Sequence, residues 1–586
     1  MNHKKFIIFG VGRIGNIAYG LLRDKYEIIG FADNDAKKWG KSFCEKLIYS
    51  PDKLGTFNDV EIIIATIYYR MICEQLSREG INNIQVFFRV GSGDKYILYK
   101  WSDMPPLLFS DCKLDRKKIS EIEMDFSRNY SLAHQREKIA LDSKEKRKVL
   151  FCAYIFPPLG GSGVQRSLKF VKYLRKFGYE PVVLTVGKND GVIIEDSSML
   201  AEVGDDINVI RIDYDIGLPE LMTKEEQQEI FNLYMGAVQS ENWIKEYQQF
   251  LQESYLMLLP DNMIIWVNRC LKEIEQKIDL KDIDIIYTTG NPFSTFFLGY
   301  YIKKKYGIKW VIDYRDPWMS SDYYVENFCR FAENIIGLQR QLENNLVGLS
   351  DYIIGAADFR KGLIEKYSIQ AEKFVEITNG YDEDDFRNIK INRIKNAKFT
   401  LCYNGKLSGE RNPVYLLKII NFLIEEGKIN NKKIQWIWNG GLEERWKNLL
   451  VEEDKYGLIQ YKGFLSHQDS ITSAMNADLL IQFGGEGAGT DFVYGGKVFE
   501  YLRMKKPILT FSTKGGILDK VFQKTHSGRN FDYKDEHGIT EYLLEMYDAW
   551  EQGTEAIHPN EEEIRKYDRE NLTYKLANIF DEILND

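Results

Sequence analysis

Apolar residues along this chain gather in short continuous runs, and amphipathic stretches of helical period separate them. Phe6 to Phe9 has the length of a buried strand, Asn16 to Leu22 a helical character, and Glu27 to Phe31 a second strand. Glu61 to Ala65 and the helix end at Gln75 to Gly80 continue the alternation through Phe88. From about Gly91 to Arg147 the rhythm lapses into GSGDKY, WSDMPPLLF and the charged stretch Lys117 to Arg147. It restarts at Lys148 with KVLFCAYIF. Val164, Leu168, Val171, Leu174 and Phe177 recur at helical spacing until Gly178, and Pro181 to Thr185 is again a strand. A third series opens at Phe399 with FTLCYNG and runs through Lys433 to Gly441, Ile459 to His467, Ala477 to Phe483 and Val493 to Gly516. The pattern predicts an α/β protein of three β/α units. Their expected spans are 1–98, 148–390 and 391–586, with a charged, partly helical connector over 99–147 and a last helix free to cross back onto the middle unit.

The chemistry of the first unit lies at its first turn. Gly10, Gly12 and Gly15 form GxGxxG between a strand and a helix, and Asp33 ends the next strand about 20 residues on. Such glycines allow a tight turn and close backbone approach, a helix start offers unpaired N–H groups to phosphate, and the acid suits a ribose. The unit is Rossmann-like, and NAD or another nucleotide is its candidate ligand. No Tyr-x-x-x-Lys or other hydride-transfer apparatus follows. A ligand-binding or regulatory module and a structural relic both fit the residues.

The chain's 586 residues, 44% hydrophobic, are enough for several cores. A net charge of −9 argues against a general nucleic-acid binder. Cys44, Cys73, Cys112, Cys152, Cys270, Cys329 and Cys402 stand singly, without a CxxC pair or disulfide framework. The N-terminus lacks the long apolar core of a signal peptide, and no apolar run reaches the roughly 20 residues that span a bilayer. A cytoplasmic protein is expected, with peripheral association at the inner face of the membrane as an option.

In the first unit, GFADNDAKKWGK (Gly30 to Lys41) and SPDKL (Ser50 to Leu54) resemble the small nucleotide-binding domains joined to enzymes of bacterial surface-glycan synthesis. The second unit turns on Pro157, Pro158, Gly160, Gly161 and Gly163, a loop that exposes backbone N–H groups at a helix start. PDNMIIW (260–266), DIIYTTGNP (284–292), WVIDYRDPW (310–318), SDYIIGAA (350–357) and ITNGYDEDDF (377–386) then follow in order. With the third unit, this succession resembles family 4-type glycosyltransferases of the GT-B fold, two Rossmann-like domains facing a cleft. The resemblance covers roughly three quarters of the chain. It implies retaining transfer from a nucleoside-diphosphate sugar to a glycan acceptor, by a front-face route in which the leaving phosphate helps deprotonate the acceptor. Cell-surface polysaccharide synthesis, with a lipid-linked acceptor as one option, is the implied setting.

Without a metal, growing charge on the departing diphosphate must be met by cations and helix starts. The resemblance places Lys406 and Arg411 against the diphosphate, and Gly160, Gly161, Gly515 and Gly516 in donor-binding loops. Lys497 begins the helix of GKVFEYL, and Glu500 takes the position of the ribose-binding Glu. Exposed surface bases and a favourable acid at a helix start are the bland readings of the same four side chains. The second Glu of the family pattern, eight residues earlier, is Phe492 here, with Asp491 beside it. Asp316 of DYRDPW is the candidate for contact with the acceptor or the reacting sugar, while Asp313 and Arg315 are a candidate structural pair. The phenylalanine at 492 keeps a catalytically inactive nucleotide-sugar-sensing scaffold in play. A bifunctional NAD-dependent sugar-modifying enzyme plus transferase is a further alternative.

Metal dependence and a cofactor for transfer are not expected: Asp33 to Asp35 and Asp382 to Asp385 are not placed like metal-binding acids. The six histidines show no ligand spacing, and His467 is either a surface loop residue or a base contact. Arg166, Lys169, Lys172, Arg175 and Lys176 form a basic helix face that is either solvated or turned to anionic lipid. The aromatic stretch 221–266, with its apolar run Tyr255 to Leu259, is either core or an acceptor-side insertion at a membrane interface.

Overall fold

Strands in these units are apolar on both faces, as the central strands of parallel sheets must be when helices cover both sides. A computed structural model describes residues 4–57, 59–66, 69–89, 96–103, 109, 112–113, 146–160, 162–189, 196–214, 222–238, 240–253, 258–322, 324–325, 333–387, 389, 396–407, 411–485 and 490–585. In the first sheet, β1 (Lys5–Phe9) lies between β2 (Glu27–Ala32) and β5 (Val60–Ile64). With β3 (Ser42–Phe43), β4 (Lys46–Tyr49), β6 (Ile84–Arg89) and β7 (Tyr96–Lys100), the order is β3-β4-β2-β1-β5-β6-β7. Ile7 and Phe9 pack with Ile62 and Ile64 on one face, and Phe6 and Ile8 with Phe31 and Ile63 on the other.

The expected connector gives up one strand to this sheet. Tyr96–Lys100 pairs antiparallel with β6, from Gln85↔Lys100 to Arg89↔Tyr96. An antiparallel edge strand needs no crossover helix, so it breaks the β/α rhythm that marked the unit. Of the charged stretch Lys117 to Arg147, only Lys146 and Arg147 are among the described residues.

The second sheet comprises β8 (Arg147–Cys152), β9 (Tyr179–Asn189), β10 (Asn208–Tyr214), β11 (Ile285–Gly290), β12 (Lys309–Tyr314), β13 (Tyr352–Gly355) and β14 (Phe374–Glu376), in the order β10-β9-β8-β11-β12-β13-β14. The third comprises β15 (Phe399–Asn404), β16 (Ile434–Asn439), β17 (Ile459–Gly463), β18 (Leu479–Phe483), β19 (Ile508–Phe511) and β20 (Gly528–Phe531), ordered β17-β16-β15-β18-β19-β20 and parallel throughout. In both, the first strand lies inside and the order reverses beside it, the doubly wound pattern whose crevice opens at the strands' carboxyl ends. The fold class is therefore α/β, tandem Rossmann-like sheets of GT-B type preceded by a smaller Rossmann-like sheet domain.

By Cα proximity the chain divides into two compact units, Met1–Val164 with Val182–Ile312 and Phe331–Ser350, and Gln165–Pro181 with Asp313–Arg330 and Asp351–Asp586. Within the first, the described helices of the aromatic stretch 221–266 are part of the core. Tyr234, Trp243, Tyr247 and Leu251 of the helices Lys224–Val238 and Glu241–Glu253 are buried, and the connector's Phe109 is buried against Phe231, Tyr234 and Tyr247. Leu258 and Leu259 are fully buried, whereas Tyr255 to Met257 lie outside the described residues. Among the described residues, no helix is long and apolar enough to cross a membrane.

Candidate donor site

In the second compact unit β15 ends at Asn404, and Gly405 turns the chain with φ +113°. The backbone conformation calls for glycine here, and a Cβ at Gly405 would stand 2.9 Å from Nζ of Lys497 and displace its ammonium. Lys497 is the residue before the helix Val498–Met504. Its ammonium donates to the Tyr403 hydroxyl at 3.0 Å and lies 4.1 Å from that ring's centroid. The Tyr403 hydroxyl in turn donates to the Lys406 carbonyl at 3.3 Å, and its burial raises its own ionisation, so it stays neutral. Burial, followed by the charge of Arg411, lowers Lys497 to about 7 against the opposing pull of Glu500. Lys406 is exposed and Arg411 half-buried. Among the described residues none of the three cations is within ion-pair distance of a carboxylate.

Glu500 lies one turn along the same helix, and its Oε1 bonds Nε2 of His467 at 2.9 Å. His467 opens the helix His467–Met475 directly after Ser466, whose hydroxyl oxygen accepts the Asp469 N–H at 3.1 Å. Burial acts to lower the imidazole, but the bond to Glu500 and the charges of Glu500 and Asp385 outweigh it and raise His467 to about 9. Phe492 is half-buried and Asp491 exposed. Gly516 precedes the helix Ile517–Thr525, and a Cβ on it would stand 2.8 Å from the Asp491 carbonyl. That carbonyl accepts the Ile517 N–H at 2.6 Å, and Asp519 accepts the Gly515 N–H at 2.5 Å, so two amides of this turn are already engaged.

Asp316 follows β12 in a short loop. It is exposed, and its ion pair is with the adjacent Arg315, at 3.5 Å. Asp313 is fully buried and takes the guanidinium of Arg166 on both oxygens, at 2.6 and 2.8 Å. Arg166 also donates to the carbonyls of Ile377 and Thr378.

That contact corrects the reading of the basic helix face. Arg166 and Lys169 are each about 1% exposed, which makes the face neither solvated nor open to lipid at those positions. Lys169 pairs with Asp382 and Asp385, and Lys172 with Asp382 and Asp384. Burial opposes ionisation of Asp382, but Lys169, Lys172 and Tyr173 hold it far below the usual carboxylate range. The last helix, Arg569–Asn585, packs on residues 176–179 through Lys176 with Glu570, Phe177 with Tyr574 and Tyr179 with Asp581. Gly160, in the first compact unit, is buried, and Gly161 lies outside the described residues.

In the first sheet domain the three glycines differ. A Cβ on Gly10, at φ +121°, would stand 2.6 Å from the Ala65 carbonyl, and one on Gly15 would overlap the Gly10 carbonyl at 1.9 Å. One on Gly12 would meet nothing within 4 Å. Asp33 accepts from the Val11 N–H at 2.9 Å, the Asp35 N–H at 2.9 Å and the Lys38 ammonium at 3.0 Å. Burial would raise its carboxyl, but these bonds prevail and hold it low.

The family model described as C2185-like, N-terminal matches residues 2–87, the first sheet domain. No curated protein matches the chain. Among solved structures it is similar to HepE of Anabaena in complex with UDP and glucose, at 12% identity over 74% of this chain and 100% of that one, with a TM-score of 0.46. It is similar to sucrose-phosphate synthase of Thermosynechococcus elongatus, at 12% identity over 75% and 100% of the two chains, TM-score 0.48. A putative UDP-N-acetylglucosamine 2-epimerase of Listeria monocytogenes is similar at 10% identity over 74% and 95%, TM-score 0.42.

Proposed function

We propose that this chain is a glycosyltransferase that moves a sugar from a nucleoside-diphosphate sugar to a glycan acceptor. The observation that carries the reading is the ammonium of Lys497. It is largely desolvated, set beside a second cation and, among the described residues, left without a carboxylate, and it would gain most from an arriving anion. Lys497, Arg411 and Lys406 would hold the diphosphate and stabilise its charge as the bond to the sugar breaks. Glu500 would accept from the ribose hydroxyls. Asp316 would meet the acceptor or the reacting sugar, and Gly160, Gly161, Gly515 and Gly516 would shape the donor loops. On the retaining, metal-independent route the C1–O bond to the diphosphate breaks as C1 bonds to the acceptor oxygen, whose proton passes to the leaving phosphate. Surface-polysaccharide synthesis in the cytoplasm, with a lipid-linked acceptor, is the setting we favour. The first sheet domain would bind NAD or another nucleotide at Gly10, Gly12, Gly15 and Asp33.

Phe492 favours a second reading, a nucleotide-sugar sensor without turnover. A panel of nucleotide-sugars screened for hydrolysis and thermal stabilisation separates the two. Turnover that Lys497→Ala and Glu500→Ala abolish supports the transferase, and stabilisation without turnover supports the sensor. Normal turnover in both variants refutes the donor site.

A further inference from the structure

We infer that His467 is a positioning residue for the donor, holding Glu500 so that its second carboxylate oxygen faces the ribose. This rests on the proposed donor site and adds a residue to it. A glutamate side chain turns about three torsions, and a half-exposed one samples many orientations unless something fixes it. Here the Oε1 atom of Glu500 is taken by His467 Nε2 at 2.9 Å, while Oε2 accepts no hydrogen bond from the described residues. Both side chains keep part of their surface exposed, 31% for His467 and 25% for Glu500, so the pair lies at an accessible edge and not in the core.

The backbone that carries the histidine is held by a helix cap. Its helix begins at Ser466, whose hydroxyl bonds the Asp469 carboxylate at 2.6 Å while its oxygen takes the Asp469 N–H. The charged groups that bear on the imidazole are Glu500, Asp385 and Lys169, and the two acids prevail, keeping the ring protonated through the neutral range. The bond to Glu500 is therefore charge-assisted and directional. One carboxylate oxygen is anchored, and the other is presented to two neighbouring hydroxyls.

The test begins with the nucleoside diphosphate, among those of the four bases, that most raises the melting temperature. Its affinity and that of its 2′,3′-dideoxy analogue are measured by calorimetry for the wild type, His467→Ala, His467→Gln and Glu500→Ala. Loss of the anchor should weaken the ribonucleotide about five- to tenfold in His467→Ala, the scale of one ordinary hydrogen bond. The dideoxy analogue should bind His467→Ala as it binds the wild type. Gln carries an N–H donor at a similar reach, so His467→Gln should recover most of the loss. Equal weakening of both ligands, or no weakening of either, overturns the positioning role while leaving Glu500 in place. If Glu500→Ala itself still distinguishes ribose from dideoxyribose, the ribose site fails and this inference fails with it.

Discussion

Donor affinity should fall steeply with pH above neutrality, and Lys497 is the cause. Its value of about 7 lies well below that of an ordinary lysine, so the empty site disfavours the ammonium by about 5 kcal/mol. One phosphate charge at about 4 Å, in an effective dielectric of about 20, contributes about 4 kcal/mol, and a diphosphate brings two such charges. Binding should thus return Lys497 to the ordinary lysine range, and the proton must come from solvent whenever pH exceeds 7. Protonation of the empty site is roughly 90% at pH 6 and about 3% at pH 8.5, so affinity should drop about 30-fold between them. The window stops there because His467 begins to lose its proton near 9.

The assay is calorimetric titration of a nucleotide-sugar, whose diphosphate diester has no proton to lose in this range, in two buffers of different ionisation enthalpy. Proton uptake should approach one per donor at pH 8.5 and be small at pH 6. Lys497→Met should bind weakly at pH 6 and show no slope. A wild-type affinity that is flat from pH 6 to 8.5, or an unchanged slope in Lys497→Met, refutes the reasoning.

Three further outcomes follow from buried charge and from glycine geometry. Asp313→Asn strands the Arg166 guanidinium and should cost about 3–5 kcal/mol in denaturant unfolding, whereas the double variant Asp313→Leu with Arg166→Met should recover much of it. Asp382 is depressed in the folded chain, so its contribution is present above the unfolded value of 3.8 and lost as pH falls below it. Asp382→Asn should be less stable than the wild type by about 2–4 kcal/mol at neutral pH, and urea unfolding should show the gap closing below pH 4. Gly15→Ala should destabilise the first sheet domain through its 1.9 Å overlap, while Gly12→Ala should change stability by less than about 0.5 kcal/mol. Any nucleotide-induced thermal shift of that domain should nevertheless be lost in Gly12→Ala, because a Cβ there would meet the ligand and nothing else.

Much of the fold was legible because parallel strands covered on both faces appear as uninterrupted apolar runs, and the spacing of those runs is the length of a crossover helix. Phe6 to Phe9, Pro181 to Thr185 and Phe399 to Asn404 all lie within strands of the structure. Tyr96–Lys100 was not legible, since an antiparallel edge strand follows its partner without a helix. The site was readable where neighbours in sequence are neighbours in space, as for Lys497 and Glu500 on one helix turn. His467 is 33 residues from Glu500, and no spacing rule joins the start of one helix to the first turn of another. The same limit governs Arg166: its helical period aligns it with Lys169 and Lys172, but only folding brings Asp313 to it from 147 residues away.

That contrast supplies a criterion for the donor site. The chain carries many basic side chains, and residue type alone does not distinguish the helix face at Arg166 from the loop at Lys406. The distinction lies in whether folding provides a carboxylate. Arg166 and Lys169 are buried with acids on them, so their charge is spent inside the protein and an arriving phosphate would have to break a desolvated pair. Lys497 is largely desolvated, its hydrogen-bond partner among the described residues is a phenol hydroxyl, and Arg411 adds repulsion instead of relief. Burying a charge without its counter-ion is unfavourable for the empty protein and favourable only once an anion arrives. Replacing Lys497 by methionine should therefore stabilise the empty protein and weaken the donor complex. A lysine retained only for folding would show the opposite first sign.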